Sequence, residues 1–409
     1  MSKMENNRFT YNNRYLWILV MLSMTFPLFN YLPIFQRHYI FLFLGLVLLF
    51  LYAQRLLQTN YFVALFVYIM IVAFNYFFGD VFFRSSNMVV KEATMLVFPL
   101  GMYYSLRKYY DKQLFHLILI IFGVFLIEST VIAAIANHQY PGIIRYLSSE
   151  EGLEDNSQIL LPYLKLGISD YAIPHALPVL ITGLVYGVRN TKGFYRIACI
   201  VLIVTTFVLA YVSNSSTALI MTLIVFFFSL LINPKKSHKN VIVIFILFLF
   251  ITPVLSNKDV QVGMLKGLNL LVPEEANIHR KIEDIEASII YGDAEGTVEN
   301  RTIQYSLTID EFLKHPLLGT SELTGGHSSI LDRFATLGIV GMFPFVLFLI
   351  LFSKSVLRRL PRDRHFYYLL GFFSAIVMLT SKNAMSWAMW LCVLFLLPGI
   401  LLFVGDDNS

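Results

Sequence analysis

Few side chains in this sequence could do chemistry, and those that could crowd the places where water gives way to lipid. The densest stretch runs from Arg301 to Gly341. It carries His327, Asp332 and Arg333 shortly before the sequence turns fully apolar after Ile339. Ionisable groups at the mouth of a membrane span are costly to place, and by default they point to a functional site. Imidazole titrates near neutral pH and can move a proton there. A guanidinium presents parallel donors that suit phosphate or carboxylate. Smaller groups recur elsewhere. Lys91 and Glu92 lie about a turn inside an apolar run, His175 stands between Pro174 and Pro178 at the start of another, and Glu128 sits in the middle of a third. The run Ser213-Asn214-Ser215-Ser216-Thr217 could offer hydroxyls or helix-terminal N–H groups to a phosphate; it reads equally as a plain polar turn.

The elements that must position these residues are membrane helices. Of 409 residues, 57% are hydrophobic and only 14% are charged, which a soluble domain of this length would not tolerate. Apolar runs long enough for the hydrocarbon core lie near 15–35, 39–53, 61–78, 88–106, 114–136, 172–188, 194–212, 216–232, 241–255, 330–352, 366–380 and 384–404. The expected class is therefore an all-α polytopic integral membrane protein with about twelve transmembrane helices. The first run lacks a small-x-small cleavage site and is expected to be retained. Lys and Arg alternate with the spans. The amino terminus and the even-numbered connections carry eighteen of the 31 basic residues, among them Arg107, Lys112, Arg189, Lys192, Lys354, Arg358 and Arg359. By the positive-inside rule both termini are cytoplasmic. This distribution also explains the net charge of +5 without nucleic acid.

The chain then divides into a membrane bundle of nine spans over 1–255, a large outer loop over 256–326, and the last three spans with the tail over 327–409. The outer loop is acidic and includes helical spacing over 301–313, where Ile303, Leu307, Ile309 and Leu313 recur among polar neighbours. His315-Pro316 stops that helix, because the residue before proline is pushed out of helical space. Gly319, Gly325 and Gly326 permit an irregular loop. Ser328 or Ser329 then caps the next helix. Cys199 and Cys392 lie inside apolar runs, make no metal spacing, and read as small core residues. The sequence contains no Walker loop, no GxGxxG after a strand, no HExxH and no GxSxG, so ATP-driven transport and zinc hydrolysis are not expected.

Arg301, the amphipathic stretch after it, His315-Pro316-Leu317-x-Gly319, then His327-Ser328 and Gly338-Ile339-Val340-Gly341 resemble the signature of the O-antigen polymerase and O-antigen ligase superfamily. That pattern reads R, HPL-x-G, H-N or H-S, then G-I-x-G at the start of a span, and covers about 40 residues here. The resemblance implies a GT-C-like, metal-independent glycosyltransferase with no cofactor. Such a protein sits in the bacterial cytoplasmic membrane and takes an undecaprenyl-diphosphate-linked glycan as donor at the outer face. The acceptor would be another lipid-linked repeat unit, and a chain-length regulator protein is a candidate partner. By the same resemblance His327 activates the acceptor hydroxyl and Arg301 binds the donor diphosphate. Both also have plainer readings, as an interfacial histidine and as a surface ion pair with Glu299 or Asp310.

The family often carries a second arginine in a Ser-Arg pair. The corresponding place here is 213–217, which has none. Lys91, Arg333, Arg84 and Lys382 are candidates to replace it, with Ser215 and Ser216 as phosphate donors and His175 lining the cavity. Lys91 reads equally as a structural partner of Glu92. Asp332 could orient His327 or act as base, although a local pair with Arg333 is the plainer expectation. The leading function is a polysaccharide polymerase making O-antigen, capsule or exopolysaccharide. A ligase that moves finished glycan to lipid A-core or another anchor uses the same donor. A flippase for the lipid-linked unit and a non-catalytic scaffold are the alternatives from other classes.

Overall fold

Every element described in the computed structural model is helical, as the long apolar runs require once backbone groups must be satisfied without water. The structure describes residues 59–78, 82–109, 111–140, 143–146, 171–213, 215–231, 297–320 and 328–404, with isolated positions at 162, 163, 166, 168, 263, 266, 267, 279, 283 and 326. The expected spans over 15–35, 39–53 and 241–255 lie outside the described residues, as do most of both long acidic connections.

The helices are α1 (Asn60–Phe78), α2 (Phe82–Tyr109), α3 (Lys112–Gln139), the single turn α4 (Ile143–Tyr146), α5 (Ala172–Asn190), α6 (Gly193–Val212) and α7 (Ser216–Leu231). They continue with α8 (Thr297–Lys314), α9 (Ser329–Leu357), α10 (His365–Ser381), α11 (Trp387–Leu391) and α12 (Leu397–Phe403). A π turn over Cys392–Leu396 joins α11 to α12. Four of these, α3, α5, α6 and α9, are long and apolar enough to cross a membrane. Shorter apolar helices cover 60–75, 217–231 and 387–403.

The core is organised around α5. Its residues from Ile173 to Gly187 are buried without interruption, whereas α6 beside it exposes most of its apolar surface. A helix apolar on every side belongs at the centre of a bundle. Pro174 falls in the first turn of α5, where no helical N–H is lost, and Pro178 falls inside. Small residues let neighbours close on α5. A Cβ on Gly187 would stand 2.6 Å from Cys199 Sγ, and one on Gly371 would stand 2.7 Å from Thr182 Oγ1. Cys199 and Cys392 are both buried and free, as core residues should be.

A second group packs α1 and α2 on α9 through aromatic rings. Tyr68 meets Phe345 at 4.9 Å between centroids, and Tyr103 meets Phe352 at 5.4 Å. Phe345 also packs edge-on against Trp390 of α11 at 5.8 Å, which ties the two groups together.

The helix directions separate two ends of the bundle. At one end Arg189, in the last turn of α5, donates to Ser229 O and Leu230 O at the end of α7, and to Tyr367 near the start of α10. Arg364 reaches Leu401 O of α12 at 2.6 Å and stands over the Tyr186 ring. Lys112, Lys192, Arg196, Lys354, Arg358 and Arg359 occupy helix termini at this same end. The alternation of basic residues along the sequence thus becomes one basic end in space. The other end carries the start of α9 and the residues singled out for chemistry.

Candidate functional site

The site begins with a break in a helix. The run 330–352 reads as one span, but α9 is two helices meeting at Gly338, whose φ of 63° and ψ of −174° are not helical. The chain before it fills the break. The turn after α8 lays His315–Gly319 against Thr336–Gly338, backbone on backbone. Ile339 and Val340 lose their helical acceptors and instead donate to Pro316 O at 2.9 Å and Leu317 O at 3.1 Å. The carbonyls thereby freed are also taken. Thr320 N donates to Ala335 O at 3.0 Å, and Asn75 Nδ2 of α1 reaches Thr336 O at 3.4 Å. Two donors and two acceptors released by the break thus have partners, as irregular backbone at membrane depth requires.

Two glycines make the close approach possible. Gly319 has φ 75°, and a Cβ there would stand 2.2 Å from Thr336 O; at Gly338 it would stand 2.3 Å from Leu317 O. The separate pieces HPL-x-G and G-I-x-G are therefore one interlocked unit.

The first half of α9, residues 329–337, is held on all sides. Ser328 is its N-cap and accepts from Leu331 N at 3.1 Å. Asp332 accepts from Ser328 N at 3.3 Å and from the backbone N–H of Gly326, so its carboxylate fastens the chain on both sides of position 327. Ser329 N donates to Lys382 O at 3.1 Å, and Ser329 Oγ receives Met385 N at 2.9 Å. Tyr305 of α8 donates to Ser381 O at 2.8 Å, and Phe312 meets Phe334 edge-on at 5.9 Å. Ser328 is fully buried, so Ser328→Ala leaves the Leu331 N–H without its acceptor. A loss of about 1–2 kcal/mol is expected. Thermal unfolding of the purified protein checks it, and Ser328→Asn, which restores a cap, recovers most of that loss.

Arg333 does not make the local pair with Asp332 expected from the sequence; the Lys91–Glu92 pairing falls on a side chain outside the described residues. Adjacent residues on a helix point about 100° apart and do not face each other. Instead Arg333 Nε and Nη2 reach the two oxygens of Glu92, on α2, at 3.0 Å each, and Arg333 Nη1 donates to Ser329 O at 3.2 Å. Tyr68, fully buried on α1, donates to Glu92 Oε1 as well. The side chains are 8% exposed at Glu92 and 22% at Arg333. A forked pair so shielded behaves as a structural charge pair, not a surface contact.

Other predicted site residues collect at the same end without touching this pair in any described contact. His175, in the first turn of α5, is buried with its ring stacked on Tyr171 at 5.5 Å. Ser386 caps α11 and donates to Ala172 O, which joins the start of α5 to the loop holding Ser329. Ser215 is buried in the turn between α6 and α7, and the buried Ser213 hydroxyl beside it donates back to Ala210 O. Lys382 is half-buried behind Ser329. Glu128 is half-buried midway along α3. His327 lies outside the described residues, and the side chains of Arg301, Lys91, Arg84 and Ser216 do so too, although their backbone places them on α8, α2 and α7. Among the described residues no three His, Cys, Asp or Glu side chains gather to hold a metal.

Tyr68, Asn75 and residues 383–386 of the loop after Lys382 were not among the sequence candidates, and Glu92 entered only as a neighbour of Lys91. Their signals were weak: a carboxylate inside one apolar run, an arginine at the head of another, and a polar break between the last two spans. No family model, curated protein or solved structure matches the chain.

Proposed function

We propose that this chain is a glycosyltransferase of the polymerase kind. It would move a growing glycan from undecaprenyl diphosphate onto the next lipid-linked repeat unit, at the outer face of a bacterial cytoplasmic membrane. The twelve-span architecture, the GT-C-like arrangement and the cytoplasmic placement of both termini belong to the same proposal. The observation that carries it is the interlock of His315–Gly319 with Thr336–Gly338 at the end opposite the basic residues. A sequence signature whose distant pieces meet as one rigid unit, with a buried charge pair beneath it, is what a preorganised site for a charged headgroup requires.

In this reading His327 takes the proton of the acceptor hydroxyl, whose oxygen attacks the anomeric carbon of the donor sugar. The bond from that carbon to the diphosphate oxygen breaks, and undecaprenyl diphosphate leaves with the bonding electrons. Arg301 offsets the charge on the leaving diphosphate. Asp332 acts as a positioning residue through the backbone on either side of 327. Arg333 acts through Glu92 by fixing the first half of α9.

The test compares surface glycan and lipid-linked intermediates in cells lacking the protein, in cells given back the wild type, and in cells given His327→Ala. A single repeat unit on the anchor without the protein, and a ladder restored by the wild type alone, is the expected result. Full-length polymer stranded on the lipid carrier would replace the polymerase with a ligase. A ladder restored by His327→Ala would remove the catalytic assignment and favour a flippase or scaffold.

A further inference from the structure

At the basic end, α1 and α9 leave a cleft of about 570 Å³ between them. Lys354, Arg358 and Arg359 line one wall, and Thr59 and Asn60, at the start of α1, line the other. Among the described residues none of the three cationic side chains has an ion-pair or hydrogen-bond partner. Three like charges converging on one cleft repel one another unless an anion sits among them. The start of α1 adds the positive end of a helix dipole to the same space.

The surfaces leading into the cleft say what kind of anion fits. On α9 the exposed residues Phe343, Val346 and Ile350 form one stripe, and Lys354 is the next residue on that stripe, one turn beyond Ile350. An apolar stripe of helical spacing thus runs directly up to a cationic cleft. A soluble phosphate would use the cleft and ignore the stripe, whereas an anionic phospholipid uses both.

We infer that the cleft between α1 and α9 binds the headgroup phosphate of an anionic phospholipid, with an acyl chain lying along the α9 stripe. Lys354, Arg358 and Arg359 hold the phosphate oxygens. Ser355 offers its hydroxyl to the headgroup. This site is separate from the proposed glycosyl-transfer site and stands whether or not that reading holds.

The test uses the full-length purified protein in detergent. Binding of fluorescent phosphatidylglycerol and phosphatidylcholine is measured for the wild type and for Lys354→Gln/Arg358→Gln/Arg359→Gln, with inorganic phosphate as competitor. Lys192→Gln/Arg196→Gln removes charge from the same end outside the cleft and serves as control. The wild type is expected to prefer phosphatidylglycerol. The triple variant should bind it about a hundredfold more weakly, at roughly 1 kcal/mol per cation. The control should stay within about twofold of the wild type. If the triple variant does not fold, Lys354→Gln alone should still weaken binding about fivefold. Equal binding of the two lipids, or an unchanged affinity in the cleft variants, overturns the proposal. Displacement by inorganic phosphate at concentrations matching the lipid also overturns it, in favour of a soluble phosphate ligand.

Discussion

Gly338→Ala will unlock the start of α9. The backbone at 338 lies in a region that only glycine occupies without strain, which alone costs about 1–3 kcal/mol. The added Cβ would also stand 2.3 Å from Leu317 O and 2.6 Å from Leu318 N, atoms of a backbone that is itself hydrogen-bonded and cannot swing aside. The expected loss is on the order of 3–5 kcal/mol, among the largest that a single methyl group produces. Gly319→Ala should behave alike, because its Cβ would meet Thr336 O at 2.2 Å. Gly326→Ala is the internal control. It has a positive φ of 77° but no neighbour within 4 Å, so it carries backbone strain of about 1 kcal/mol without the collision. Thermal unfolding and the folded yield in detergent should rank wild type first, then Gly326→Ala, with Gly319→Ala and Gly338→Ala far below. Equal losses at 326 and 338 would mean that the interlock contributes nothing beyond glycine's own freedom.

The second large effect is at the Glu92–Arg333 pair. Glu92→Gln leaves a largely buried guanidinium facing a neutral amide. Removing one partner of a buried pair costs about 3–5 kcal/mol, and the lower part of that range applies because the arginine keeps some exposure. Replacing both residues, as Glu92→Met/Arg333→Met, removes the unpaired charge and should recover much of the loss. The double-mutant cycle therefore yields a coupling energy well above the few tenths expected of independent sites. Additive losses would mean that the two residues do not act as a pair. Arg333→Lys separates charge from shape, because an ammonium cannot reproduce the two parallel bonds to Glu92. It should fold and still lose activity if the pair's purpose is to fix the direction of the first half of α9.

How much of this was readable beforehand follows the range of each interaction. Helix positions come from local apolar runs, so α3, α5, α6 and α10 fall within a few residues of the spans read from hydropathy. The stop at His315-Pro316 and the cap at Ser328 are equally local and were also legible. The break at Gly338 was not. Its neighbours Leu337, Ile339 and Val340 are apolar, and a glycine in such a run is compatible with an unbroken helix. Only the docking of Leu317 against it makes the non-helical conformation favourable. Glu92 and Arg333 are 241 positions apart, so one sequence favours the adjacent Asp332–Arg333 pair over the distant one. The buried setting of His175 rests on its stacking against Tyr171, which the flanking prolines suggest but do not determine.

The most direct measurement is turnover by the purified protein in a bilayer. Undecaprenyl-diphosphate-linked repeat units are supplied, and both longer lipid-linked glycan and free undecaprenyl diphosphate are followed. With the wild type the two products are expected to rise together. His327→Ala should lower the rate about a hundredfold or more while keeping the wild-type melting temperature. Folded wild-type protein that releases no undecaprenyl diphosphate from such donors, or a His327→Ala variant that turns over at the wild-type rate, would contradict it.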